Sequence, residues 1–161
     1  MSSYEFVDSM MTKNQSGELR SPVSQHLGMS LVEFGRGEAA YEMPVREELS
    51  NPLGVIQGGV ATALADAAMA AAATTILDDE EIQGSAITTV DIFARFIRPV
   101  NLKGAKCLRA NAKVIRAGSQ LVWAEADVLA DGEIVGKFNS TGVRVSFDPQ
   151  AYVGGGESSD G

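Results

Sequence analysis

Cysteine and histidine are nearly missing from this chain of 161 residues: Cys107 is its one thiol and His26 its one imidazole. A single cysteine allows no intrachain disulfide, which suits a reducing compartment. One of each makes no credible zinc cluster. No Gly-x-Ser-x-Gly elbow accompanies His26, so a serine-hydrolase triad has no basis, and His26 beside Leu27-Gly28 reads as structural. Walker and Rossmann glycine patterns are also missing; Gly35-Arg36-Gly37 is a turn. The first residues show no basic, apolar, small-residue signal pattern, and a cytoplasmic location is expected.

Positive charge is scarce too, with 13 Lys and Arg against 21 Asp and Glu for a net charge of −8. That balance disfavours nucleic acid, whose binding rests on neutralising phosphates. The deficit is uneven: residues 91–145 carry nine basic and five acidic side chains, a net of +4, leaving −12 elsewhere. A local cluster of Arg95, Arg98, Lys103 and Arg116 has the charge to hold the phosphates of one nucleotide-bearing ligand. The one long apolar run, residues 60–77, approaches membrane-spanning length. Its many alanines, its central Asp66 and the acidic flank Asp78-Asp79-Glu80-Glu81 argue for a buried helix of a soluble protein instead.

What is present centres on that run. Asn51-Pro-Leu-Gly-Val-Ile-Gln57-Gly58-Gly59 leads from a turn-forming loop into an alanine-rich helix, predicted from Val60 to Leu77, whose one acid is Asp66. A carboxylate in such surroundings needs a bonded partner or a chemical task. A helix N-terminus offers unpaired N–H groups and partial positive charge, and two glycines leave the backbone open to an oxyanion or a phosphate. Gly59 and Asp66 share a helix face, being seven residues apart. At ~1.5 Å rise per residue they are ~10 Å apart, whereas a reacting carbonyl sits ~3 Å from both its oxyanion donor and its base. One chain therefore cannot bring both groups to one substrate, and a homodimer is expected.

The remainder reads as strands. Met29–Phe34 and Glu38–Val45 form a hairpin, and further strands follow near Ala86–Arg98, Ala105–Ala117, Gln120–Leu129 and Ile134–Val145. Val122, Ala124, Ala126, Val128 and Ala130 make a small apolar face that lets a helix sit close. The expected class is α+β, one curved antiparallel sheet wrapped around one long helix over residues 21–148. Residues 1–20 form a polar segment with a short helix around Tyr4–Met11, and 149–161 a flexible tail.

These residues resemble the hotdog-fold acyl-CoA thioesterases of the phenylacetyl-CoA and 4-hydroxybenzoyl-CoA type. Their motif is Asn-x-x-Gly-x-x-His-Gly-Gly with an acid nine residues after the His, matched here by Asn51, Gly54, Gln57, Gly58, Gly59 and Asp66. Thr89-Val90-Asp91, Phe96-Ile97-Arg98-Pro99 and Arg116-Ala117-Gly118-Ser119 look like the family's later strands, so the likeness covers roughly residues 22–145. It implies that Gly59 N–H polarises the thioester carbonyl and that Gln57 orients it. Asp66 of the other subunit is then the base or the nucleophile. It also implies that Asn51 and Gly58 shape the loop and pocket floor. Thr89, Arg98, Arg116, Gly118 and Ser119 would lie near the CoA moiety, which enters as part of the substrate; no cofactor or metal is expected. Gln57 departs from the family's His, and an amide cannot shuttle a proton near neutral pH. The acid–base burden then falls on Asp66.

The departure keeps a rival open, a non-catalytic acyl-CoA or acyl-carrier binding protein on the same scaffold. A hotdog dehydratase would need an Asp/His pair that the chain lacks. Assembly as a dimer or a dimer of dimers is not distinguished by the sequence.

Overall fold

The computed structural model describes residues 22–77 and 85–146. The helix expected over Tyr4–Met11, the acidic flank at 78–81 and the tail at 149–161 lie outside the described residues. Helix α1 (Pro22–Leu27) precedes strands β1 (Ser30–Gly35) and β2 (Glu38–Pro44), and a 3-10 turn (Glu47–Leu49) leads to helix α2 (Gly58–Thr74). Strands β3 (Ser85–Phe96), β4 (Cys107–Ala117), β5 (Leu121–Ala130) and β6 (Glu133–Ser146) follow. All pair antiparallel in one six-stranded sheet of order β1-β2-β4-β5-β6-β3. The long connection through α2 separates β2 from β3, which ends up at the far edge beside β6.

Helix α2 touches all six strands. Its Leu64, Ala65, Ala68, Met69 and Ala72 are buried against Met43, Leu108, Val128 and Phe138 of the sheet. The expected small face of β5 is there: Val122, Ala124, Ala126 and Val128 are buried, while Trp123 is exposed and Glu125 and Asp127 half-buried. Each alanine removes bulk between helix and sheet, so the backbones approach closely at native packing density.

The β5–β6 hairpin turns on Asp131 and Gly132, at φ 45° and 91°. Positive φ at both central residues marks a two-residue turn whose twist suits the flanking strands. Asp131 also accepts hydrogen bonds from the backbone N–H groups of Lys106 and Cys107, which fixes where β4 begins. The helix likewise starts earlier than predicted, at Gly58, so the glycine pair forms its first turn and residues 75–77 only a turn. Strand β3 stops at Phe96 because Ile97 and Arg98 both donate to the Val135 carbonyl, which collapses the ladder before Pro99. Helix α1 has no counterpart in the sequence reading; Arg46 Nη2 donates to the His26 carbonyl at its end, 2.7 Å away.

Candidate active site

The loop before α2 is held by its own polar groups. Asn51 Oδ1 accepts the N–H of Leu53 at 2.9 Å, the Asn51 carbonyl accepts that of Gly54, and Asn51 N–H donates to Val55. Gly54 has φ +72°, a left-handed conformation that a side chain would strain. Ile56 N–H donates to Val100 and Gln57 N–H to Leu49, each at 2.9 Å, so the loop is pinned on both sides as it enters the helix.

Gln57 is the N-cap, in extended conformation and without a side-chain capping bond. Its carbonyl accepts from Val60 at 2.9 Å and Ala61 at 3.4 Å. Gly58 and Gly59 precede that first bond, so their N–H groups are the unpaired donors of the helix end. The glycines do different work. Nothing lies within 4 Å of where a Gly59 Cβ would stand, so the backbone there is open to a ligand. A Cβ on Gly58 would meet the Phe96 ring at 3.0 Å, so that glycine makes room for an aromatic side chain.

Two turns along, Asp66 is half-buried, and Thr89 Oγ1 donates to its Oδ1 at 2.7 Å. Among the described residues no hydrogen bond reaches Asp66 Oδ2 and no cation pairs with the carboxylate. Thr89 was expected at the CoA moiety; the structure places its hydroxyl on the acid. A bulge at Val90 follows directly. The helix-facing series Thr89, Ile92, Ala94, Phe96 thus keeps one face although Thr89 and Ile92 are an odd number of residues apart.

The remaining expected residues fall into two separate groups. Arg98 pairs with Glu133, both exposed, and lines the same cavity as Gly58. Arg116 lies over the Trp123 ring, 6.0 Å from its centroid, at the β4–β5 turn. There Gly118 N–H donates to Leu121 at 2.7 Å and Ser119 is exposed. Val135 receives the backbone at Arg98, while Trp123 opposite Arg116 pairs with Thr141 of β6. Six residues at ~3.3 Å rise separate those levels by ~20 Å, so within one chain Arg98 and Arg116 do not converge.

Three contacts escaped the sequence reading: Thr89 on Asp66, Phe96 on Gly58 and Trp123 under Arg116. The period-two pattern of β3 carries a trace of the first two, obscured by the bulge. Burial pushes the Cys107 thiol above its usual range, which disfavours the reactive thiolate. No group of three or more potential metal ligands occurs among the described residues. No described helix is long and apolar enough to cross a membrane.

Comparison with known proteins identifies the fold and the family. A model of the thioesterase superfamily matches residues 53–137, more than half of the chain. A Haemophilus influenzae protein that carries an esterase name is 35% identical over 75 residues, 47% of this chain and 51% of that protein. The match thus spans about half the length of that relative. The phenylacetic acid degradation protein PaaI from Thermus thermophilus is 25% identical, with a TM-score of 0.69 over 78% of this chain and 100% of that one. A conserved protein from Pseudomonas aeruginosa is 26% identical, with a TM-score of 0.71 over 80% and 98%. A Haemophilus influenzae thioesterase, 24% identical with a TM-score of 0.72 over 83% and 90%, shares the fold. The architecture is the hotdog fold expected from the motif residues, and the chain belongs to the thioesterase superfamily.

Proposed function

We propose that the protein hydrolyses an acyl-CoA thioester to free acid and CoA, at sites each shared between two copies of the chain. The observation that carries this reading is the pairing of Thr89 with Asp66 at the opposite end of the site from the open Gly59 N–H. A carboxylate held by one hydroxyl keeps a free oxygen for a water molecule or a carbonyl carbon. The open amide suits the oxygen on which negative charge develops.

Strand β3 supplies a way for two copies to meet. Among the described residues it pairs only with β6, and its other edge is long, with Phe93 59% and Phe96 56% exposed. Such an edge favours pairing with another strand. Counting the Val90 bulge as no position, Thr89 and Phe96 are six pairing steps apart, with Phe93 midway. Antiparallel self-pairing about a two-fold axis at Phe93 therefore sets Thr89 of one protomer opposite Phe96 of its partner. Phe96 touches Gly58, and Thr89 holds Asp66. The same operation brings one helix N-terminus to the other copy's acid, twice per dimer.

In this arrangement Gly59 N–H polarises the carbonyl, Gln57 helps orient it, and Asp66 of the other subunit activates water or attacks directly. Asn51 and Gly58 hold the loop. Arg98, Arg116, Gly118 and Ser119 line the path of the CoA phosphates, in a cytoplasmic homodimer or pair of dimers. Release of free thiol from acyl-CoAs by the purified protein tests the reading. Tight acyl-CoA binding with no thiol released would replace it with a binding protein on the same fold.

A further inference from the structure

Strand β3 is regular on either side of Val90 and out of step at that residue. Thr89 pairs with Gly142 and Asp91 with Thr141, so one residue of β3 has no counterpart on β6. The extra residue decides which side chain meets the helix. Strict alternation back from Phe96, Ala94 and Ile92 would turn Val90 and Thr88 inward and Thr89 out to solvent. With the bulge, Val90 and Asp91 are both exposed and the Thr89 hydroxyl reaches Asp66.

Two residues hold that irregularity. Asp91 Oδ1 accepts the Thr141 N–H at 3.1 Å, so a carboxylate closes the ladder where the two backbones are out of step. Gly142, opposite Thr89, supplies room: a Cβ there would stand 2.6 Å from Ile87 Cγ2, too close for a real contact. Asp91 lies on the outer face of the sheet, level through Thr141 with the exposed Trp123, whereas Thr89 is level through Gly142 with the buried Val122. Among the described residues no Lys or Arg pairs with Asp91, so a surface ion pair does not account for the acid.

We infer that Asp91 is a positioning residue of the site: its carboxylate stabilises the Val90 bulge, the bulge keeps Thr89 on the helix face, and Thr89 holds Asp66. This role rests on the hydrolase reading for what Asp66 does. From the outer face Asp91 acts through Thr89 and not on the substrate. When the acceptor at Asp91 is lost, the unbulged register becomes competitive, and in that register Val90 replaces the hydroxyl beside Asp66. Removing the Asp91 carboxylate therefore impairs the same step as removing the Thr89 hydroxyl.

The test compares Asp91→Ala, Asp91→Asn, Thr89→Val and the double variant Thr89→Val/Asp91→Ala in the full chain, with thiol release from acyl-CoAs read well below the unfolding transition. Asp91→Ala should lose about tenfold or more in kcat with KM little changed. Asp91→Asn, whose amide oxygen can still accept from Thr141, should recover most of that loss. Because Asp91 acts through Thr89, adding Asp91→Ala to Thr89→Val should cost less than about twofold further. Losses that multiply would overturn the role, as would wild-type turnover by Asp91→Ala or equal losses in Asp91→Ala and Asp91→Asn. Hydrogen exchange at the Thr141 amide reads the bulge without substrate. It should quicken by about tenfold or more in Asp91→Ala and stay near wild type in Asp91→Asn. Unchanged exchange in Asp91→Ala overturns the inference even if turnover falls. If the wild type releases no thiol from any acyl-CoA, the hydrolase reading fails, whereas faster Thr141 exchange in Asp91→Ala would still support Asp91 as the residue that keeps Thr89 on the helix face.

Discussion

Thr89 Oγ1 donates a 2.7 Å hydrogen bond to Asp66 Oδ1, joining the middle of α2 to the edge strand of the sheet. The bond holds one carboxylate oxygen and leaves the second, in the proposed site, for the substrate. Thr89→Val keeps shape and removes the donor, while Thr89→Ser keeps the donor. A hydrogen bond to a charged group contributes ~1.5–3 kcal/mol, and ~1.4 kcal/mol is tenfold in rate. Thr89→Val should therefore lose about tenfold or more in kcat with KM near wild type and a melting temperature lowered by several degrees, and Thr89→Ser should recover most of both. Equal turnover by wild type and Thr89→Val would assign the bond to folding alone.

Asp66→Asn keeps size and hydrogen bonding but cannot take a proton or attack a carbonyl. Gln57 is an amide and cannot shuttle a proton near neutral pH, so in the proposed site that step falls on Asp66. General-base catalysis is commonly worth 10²–10⁴-fold, so kcat should fall by about that factor. Sedimentation behaviour and the circular dichroism spectrum should be unchanged. Undiminished thiol release would remove Asp66 from the mechanism.

At the other end of α2 a polar contact serves stability. Thr75 is fully buried, accepts the N–H of Gly37 at 2.7 Å and donates to the Ala72 carbonyl at 2.7 Å. It thereby ties the end of the helix to the β1–β2 turn, where Gly37 has φ +77°. Thr75→Val leaves that buried N–H unsatisfied, a cost of about 1–3 kcal/mol. Urea unfolding should show a lower midpoint at constant slope, and thiol release below the transition should be retained.

The helix, its acid and the glycine pair were legible in the sequence because they are consecutive and their pattern is local. The small face of β5 was legible for the same reason, as alternation survives inside one strand. Thr89 on Asp66 was not: it joins residues 23 apart in sequence through a bulge that only β6 pairing reveals. The Arg98 and Arg116 groups looked like one basic cluster because sequence charge carries no register. The sheet separates them by the distance from Val135 to Thr141 along β6. Likewise the need for Gly58 came from a ring on another element, Phe96, which nothing in the loop announces.

Phe93 is the residue expected to meet its own copy. Self-pairing puts identical positions together at the two-fold axis, so Phe93→Asp sets two like charges side by side. Phe93 is exposed in one chain and its ring contacts Arg95, so the substitution should spare the fold. Sedimentation should then show a monomer, and thiol release should be lost although Asp66, Gln57 and Gly59 are all intact. An active monomer would show that one chain holds a whole site.

Mixing two inactive variants tests the sharing of sites most directly. Asp66→Asn removes the acid, and Gly59→Val places a branched side chain over the open amide. If each site takes its amide from one chain and its acid from the other, a mixed dimer holds one site with both defects and one with neither. Random assembly makes half of the dimers mixed, so co-refolded equal amounts should regain about a quarter of wild-type activity. Sites built from one chain would each carry a single defect, and mixing would restore nothing. Because each parent variant is the control for the other, recovered activity cannot come from partial function of either alone, and its size counts the intact sites.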